Sequence, residues 1–231
     1  MSLKVYISAG HGGSDPGAVG NGLQEKVVNL KVSAYLKDEL QKRGCSIKMT
    51  RTGDTFVDLN TRTNEANAWG ADVVIDVHCN SATAADANGF EIFHSIVGGK
   101  SKELAVGIEK LVRQKIKSRG TKTRVGDGGA DYFATIRQTN APAVLAEAAF
   151  VSNASDAAWL KNDTNLKWLA ECYARGVCDT FGVKWSIAPP PPATPGKIYW
   201  VQVGAYSART NAEAMVKKLK SLGFDAFVTE S

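Results

Sequence analysis

Lys4-Val5-Tyr6-Ile7-Ser8-Ala9-Gly10-His11-Gly12-Gly13 is the stretch on which the reading of the fold turns. Its first six residues have the apolar and small character of a buried strand, and the glycines behind them allow a sharp turn. Residues 24–43 then carry apolar side chains at helical spacing up to Gly44, and 46–51 form a second strand. Working outward, the alternation continues: helix 58–69, strands 72–78 and 89–95, and a helix over 100–118. A short buried strand at 143–148 and one or two helices over 156–181 complete it. Strands separated by helices predict an α/β fold, a mainly parallel twisted sheet flanked by helices on both faces. In such a sheet, ligands gather beyond the carboxyl ends of the strands.

Four consecutive prolines at 189–192 mark the clearest boundary, because a proline run favours extended polyproline II and acts as a semi-rigid spacer. The expected organisation is a catalytic domain over 1–185, a proline-rich linker over 186–196 and a small unit over 197–231. That last unit reads as βαβ, with strands at 198–205 and 224–229 around a helix at 211–222. It is too short to bury a core alone, so it needs a second copy, another chain or the main domain.

Composition narrows the classes. Of 231 residues, 44 % are hydrophobic and 22 % charged, which excludes a disordered chain. The net charge of +5 suits an anionic partner such as a wall polymer, but no nucleic-acid motif accompanies it, so a nucleic-acid partner is not expected. Residues 110–124 hold seven positive side chains (Lys110, Arg113, Lys115, Lys117, Arg119, Lys122, Arg124) and no acid. With Leu104, Ile108, Leu111 and Ile116 at near-helical spacing, the run reads as the solvated face of a surface helix. Cys45, Cys79, Cys172 and Cys178 show no disulfide spacing, which points to synthesis in a reducing compartment. The apolar run at 5–7 is far too short for a signal peptide or a membrane span. The expectation is a protein made in the cytoplasm without a signal peptide and with no membrane partner, acting elsewhere after release.

Three residues are placed as metal ligands would be. His11 follows the first strand, Glu25 opens the first long helix, and His78 ends the strand Asp72-Val73-Val74-Ile75-Asp76-Val77-His78. Two imidazoles and a carboxylate leave a fourth tetrahedral position open, the pattern of a catalytic zinc. Singly, each has an ordinary alternative: a hydrogen-bonded histidine at a strand end, or a glutamate favoured by the helix dipole. Glu147 sits inside the apolar run Ala143-Val144-Leu145-Ala146-Glu147-Ala148-Ala149-Phe150. A buried carboxylate is costly unless it faces a metal, a base or a cavity, so it is either a catalytic acid/base or the partner of an arginine such as Arg137.

These residues carry a family resemblance. Gly10-His11-Gly12-Gly13 with Asp15-Pro16-Gly17-Ala18, then Glu25, then Thr50-Arg51-Thr52 with Asp54, Leu59 and Arg62, resembles the third family of N-acetylmuramoyl-L-alanine amidases. So does Pro142-Ala143-Val144-Leu145-Ala146-Glu147 leading to Phe150-Val151-Ser152-Asn153. The resemblance spans about residues 3–183 and implies a phosphorylase/hydrolase-like α/β domain. It further implies Zn2+ on His11, Glu25 and His78, Glu147 as acid/base, and hydrolysis of the amide between muramoyl groups and L-alanine of peptidoglycan. Arg51, Arg62 and Arg137 are expected to brace loops or substrate. Alternatives are a zinc peptidase cutting within the stem peptide and a non-catalytic peptidoglycan-binding protein. The chain departs from the family at Ser8-Ala9, where Asp-Pro is common, and at Cys79, where an apolar residue is usual. The first removes a carboxylate that could orient His11.

The tail, Tyr199-Trp200-Val201-Gln202-Val203-Gly204-Ala205-Tyr206 with Asn211-Ala212-Glu213-Ala214 and Gly223-Phe224-Asp225-Ala226, is similar to half of a sporulation-related repeat. That resemblance implies peptidoglycan binding, with homodimerisation as one way to complete the half module. It also resembles the tails of spore-former autolysins and some phage endolysins.

Overall fold

Period-two burial organises the sheet. In β5 (Val73–Asn80), Val73, Ile75, Val77 and Cys79 enter the larger core, while Asp76 and His78 face the other way. The computed structural model describes residues 2–84, 86–186, 203–221 and 226–229. The chain divides into two compact units, 1–188 and 189–231.

The first unit is built on a six-stranded sheet. Besides β5 it contains β1 (Lys4–Ala9), β4 (Ser46–Met49), β6 (Phe90–His94), β7 (Ser118–Lys122) and β8 (Ala143–Phe150), in the order β4-β1-β5-β8-β6-β7. All neighbours are parallel except β6 and β8, which run antiparallel. A two-stranded hairpin, β2 (Val19–Gly20) and β3 (Leu23–Gln24), leads into α1 (Glu25–Gln41).

The larger core lies on the side of α1, α3 (Gly99–Val112) and α6 (Asp163–Phe181), with Val28, Val32, Leu36 and Leu40 of α1 recurring every four residues. The opposite side is smaller and gathers Tyr6, Ala66, Val74, Ile136 and Leu145 around α2 (Leu59–Trp69) and α4 (Ala134–Gln138). Asp58 caps α2 by accepting the Thr61 N–H, and Gly70 closes it at φ 67°. The final helical region is two helices, α5 (Ala154–Leu160) and α6, broken where Asn162 caps the second. All four cysteines are buried and unpaired.

One expectation needs correction. The helix predicted over 100–118 stops at Val112, and 118–122 is the edge strand β7. Leu104, Ile108 and Val112 do bury at four-residue spacing, and Ile116 continues that spacing, but the chain turns after Arg113. Arg119 and Lys122 therefore belong to an edge strand and not to a helical face. An edge strand with charged side chains carries no apolar run to betray it. β2, β3 and α4 are also absent from the sequence reading, each too short for a periodic signal.

In the second unit, α7 (Arg209–Ser221) spans most of the helix expected at 211–222. The expected strands at 198–205 and 224–229 fall partly outside the described residues.

Candidate metal centre

His11, Glu25 and His78 meet at the carboxyl edge of the sheet, with one ligand atom from each lying within 4.8 Å of the others. Glu25, 3 % exposed in the first turn of α1, supplies the bridge. Its Oε2 lies 3.2 Å from His11 Nε2, and its Oε1 lies 2.9 Å from His78 Nδ1. The same carboxylate accepts N–H bonds from Ala18 and Cys79 and from the Asn29 amide.

The outward ring nitrogens face two further carboxylates. His11 Nδ1 is 2.7 Å from Asp15 Oδ2, and His78 Nε2 is 3.5 Å from the buried Asp76 Oδ1. Carboxylates behind ligand histidines fix ring orientation and raise basicity. Asp15 thus supplies the His11 ring with the carboxylate that Ser8-Ala9 lacks. Asp76 carries the same sequence signal as Glu147, a charge within an apolar strand, yet sequence reasoning missed it. Ser8 is buried and accepts from Arg62.

Local backbone geometry serves this convergence. His11 adopts φ 60°, a left-handed conformation that costs a non-glycine residue roughly 1 kcal/mol or more and persists only where the surroundings hold it. Arg62 holds it by donating to the carbonyls of Ala9 and His11, and Arg51 donates to those of Ala9 and Gly10. Both arginines are buried braces of the loop, as expected. Arg137 braces the carbonyls of Asp131 and Tyr132.

At Gly10, any Cβ would come within 2.4 Å of the His78 ring. Gly10→Ala is therefore expected to displace His78 and weaken metal affinity by roughly 10–100-fold, as for other changes behind a ligand. A metal titration equal to that of the parent protein would show that the ring tolerates the methyl.

Burial alone would raise the Glu25 pKa, but the hydrogen bonds and charges of the two histidines hold it well below the carboxylate range. Burial likewise opposes the charged imidazoles, yet Glu25 raises His11, and Asp76 with Glu25 raises His78 well above its ordinary value. The cluster thus sets two imidazoles among three carboxylates, Glu25, Asp15 and Asp76.

Glu147 lies opposite His78 in the register of β5 and β8. Its side chain is half-buried, but Oε2 is fully buried and has no hydrogen-bond partner among the described residues. Desolvation, reinforced by Glu25, Glu91 and Asp76 against the opposing charge of His78, pushes its pKa up to about 7. Arg137 is bonded elsewhere, so the arginine-partner alternative has no support in the hydrogen bonding. Cys79 points into the core, with Sγ 3.5 Å from Asn29 Oδ1, and is no part of the ligand set.

Comparison with known proteins decides the lineage. The N-acetylmuramoyl-L-alanine amidase family matches residues 5–179, most of the chain. The chain belongs to that family. It is an enzyme that hydrolyses the amide between N-acetylmuramoyl groups and L-alanine in peptidoglycan. Residues 195–231 match the SPOR domain family. The amidase is 36 % identical to a sporulation-specific N-acetylmuramoyl-L-alanine amidase of Bacillus subtilis (strain 168), over 98 % of this chain and 84 % of the relative. It is 38 % identical to the endolysin of Bacillus phage SPP1, over 80 % of this chain and 68 % of that protein. The catalytic domain of CwlV from Bacillus (Paenibacillus) polymyxa var. colistinus superposes with a TM-score of 0.71 at 32 % identity, covering 79 % of this chain and 99 % of CwlV. No described helix of the amidase is long and apolar enough to cross a membrane.

Proposed function

We propose that His11, Glu25 and His78 hold a zinc ion and that Glu147 is the acid/base of the amidase reaction. The convergence of two ring nitrogens and a carboxylate oxygen within 4.8 Å carries this reading. Tetrahedral zinc with bonds of about 2.1 Å keeps its ligand atoms about 3.4 Å apart. Glu25 stands 2.9 and 3.2 Å from the two rings, so the donor set accepts such an ion with small side-chain shifts. A mixed imidazole and carboxylate set suits zinc, and three protein ligands leave a position for substrate or water. When bound, the ion would supply Lewis acidity toward the scissile carbonyl and the attacking water.

The chain's own groups do the rest. Asp15 and Asp76 hold the histidine rings, and Arg51 and Arg62 hold the loop that presents His11. Glu147 takes the proton released by the attacking water and delivers it to the alanine nitrogen as the C–N bond breaks. A carboxyl group poised near neutral pH suits both transfers.

Residues 1–185 form the catalytic part in this reading, 186–196 the spacer and 197–231 a unit that holds the enzyme on the wall. A half module has to complete its fold, and pairing with a second copy does so, making the tail the proposed homodimer contact. The positive charge adds attraction to anionic wall polymers.

Digestion of purified wall tests the reaction and the metal together. New N-terminal L-alanine should appear, vanish with a chelator and return with added zinc. New termini from other stem residues would make the enzyme a peptidase within the stem. No new termini with zinc present would leave only a wall-binding protein.

A further inference from the structure

On the face that presents His78 and Glu147, a row of side chains continues to the edge of the sheet. Glu147 is the register partner of both His78 in β5 and Glu91 in β6. The register between β6 and β7 shifts after Phe90↔Ser118, so Glu91 lies against Arg119 and Gly120. Because β6 runs antiparallel, its first residues share this edge with the ends of β5 and β8.

Glu91 is only 6 % exposed, and three donors hold it: Asn80 Nδ2 at 2.7 Å on Oε1, with Arg119 Nε at 2.7 Å and Lys122 Nζ on Oε2. A buried carboxylate with two cations leaves one positive charge in excess. The Arg119 guanidinium is 5.0 Å from the Phe150 ring, and it engages Glu91 through Nε alone. Its two terminal nitrogens make no hydrogen bond among the described residues, and the side chain is 34 % exposed. Lys122, equally exposed, retains two donors. A guanidinium held at Nε with both terminal nitrogens free is matched to a carboxylate, which it binds through two parallel N–H bonds.

We propose that Arg119, assisted by Lys122 and positioned by Glu91, binds a carboxylate of the substrate's stem peptide and so sets which stems the amidase accepts. This rests on the reading of Glu147 as the acid/base of the reaction. Strands are spaced about 4.8 Å apart, and Arg119 reaches back from β7 to Glu91 on β6, so its guanidinium lies about one to two strand spacings, about 5–10 Å, from β8, the span of about two to three extended residues. The ligand is therefore a carboxylate on the second or third stem residue, reached by a peptide that crosses β8 and β6 after its first residue enters the metal centre.

The test uses the zinc-loaded full chain and two muramoyl tripeptides, one with free carboxylates on the second and third residues and one with both as amides. The parent enzyme should cleave the free acid with kcat/KM at least about tenfold higher, as expected for a charge-assisted bidentate contact. Arg119→Gln, which leaves Lys122 on Glu91, should raise KM for the acid about tenfold with kcat unchanged and leave the diamide within about twofold. Arg119→Lys should fall between the two, because it keeps the charge without the fork. Equal losses on both substrates, or no preference in the parent, would overturn the subsite while leaving the amidase reading intact. Cleavage of neither substrate by the parent would instead overturn that reading, and this inference with it.

Discussion

Glu147→Gln is expected to lower kcat on muramoyl peptides by roughly 10²–10⁴-fold, the range spanned by loss of a general acid/base, while metal affinity and attachment to intact wall stay unchanged. Glutamine keeps the shape but can neither take the proton from water nor return it to the alanine nitrogen. Isothermal titration with zinc, a wall sedimentation assay and single-turnover hydrolysis separate the three properties. Loss of metal binding along with activity would move Glu147 into the ligand set. Retained activity would remove it from the chemistry.

The same substitution carries a stability signature. Burial raises the Glu147 pKa from 4.5 to about 7, so the folded metal-free protein prefers the neutral acid. The folded value exceeds the unfolded one, and the stability this group contributes is therefore complete below pH 4.5. It is lost as pH rises through about 7. By linkage the loss amounts to about 3 kcal/mol, at about 1.4 kcal/mol for each pH unit separating the folded and unfolded values. Glutamine does not titrate. Metal-free Glu147→Gln should gain Tm on the parent steadily from about pH 5 and reach a plateau above pH 7. A difference independent of pH would mean that the carboxylate is solvated in the folded state.

How much of this was legible in the sequence depended on the strength of each local pattern. β1, β5 and β8 were readable because long apolar runs bounded by polar or glycine residues admit few alternatives, and α1 because its apolar residues recur every four. His11 and His78 stood out at the strand ends where such a sheet gathers ligands, Glu25 at the opening of the first long helix, and Glu147 as a charge inside an apolar strand, against burial preference. The edge strand β7 was not readable: its residues, Ser118-Arg119-Gly120-Thr121-Lys122, are polar, and Ile116 keeps the phase of the preceding helix. The place of β6 beside β8 was equally hidden: the short helix-free link after β5 implies a reversed strand, but no residue in β6 shows that β8 lies between the two. Those two features bring Glu91 and Arg119 beside Glu147, so that juxtaposition required three dimensions. Asp15 is a different case. It lay within the quoted motif, but only the turn through Gly12 and Gly13 shows that its carboxylate reaches the His11 ring.

Glu25→Gln should remove the metal-dependent part of the protein's stability. Glu25 bridges the two histidine rings, and it also takes the N–H groups of Ala18 and Cys79. Alanine would strand those donors as well and blur the result with a general loss of stability. Glutamine keeps one oxygen, enough for the Ala18 or the Cys79 N–H but not both, since these bond different oxygens of Glu25, and it withdraws the negative charge that would attract a cation. At zinc concentrations about 1,000 times the dissociation constant, binding to the native state alone contributes about 4 kcal/mol. For a unit of this size that corresponds to a rise in Tm of about 8–16 °C, at about 2–4 °C per kcal/mol. The parent protein should show that rise in calorimetry, and Glu25→Gln should show less than about a quarter of it with wall hydrolysis lost in parallel. An undiminished shift in the variant would place the ion elsewhere. Loss of the shift with activity retained would mean that hydrolysis proceeds without a metal bound between the two histidines, so the two measurements together decide whether Glu25 acts as a ligand or only as a structural anchor for the rings.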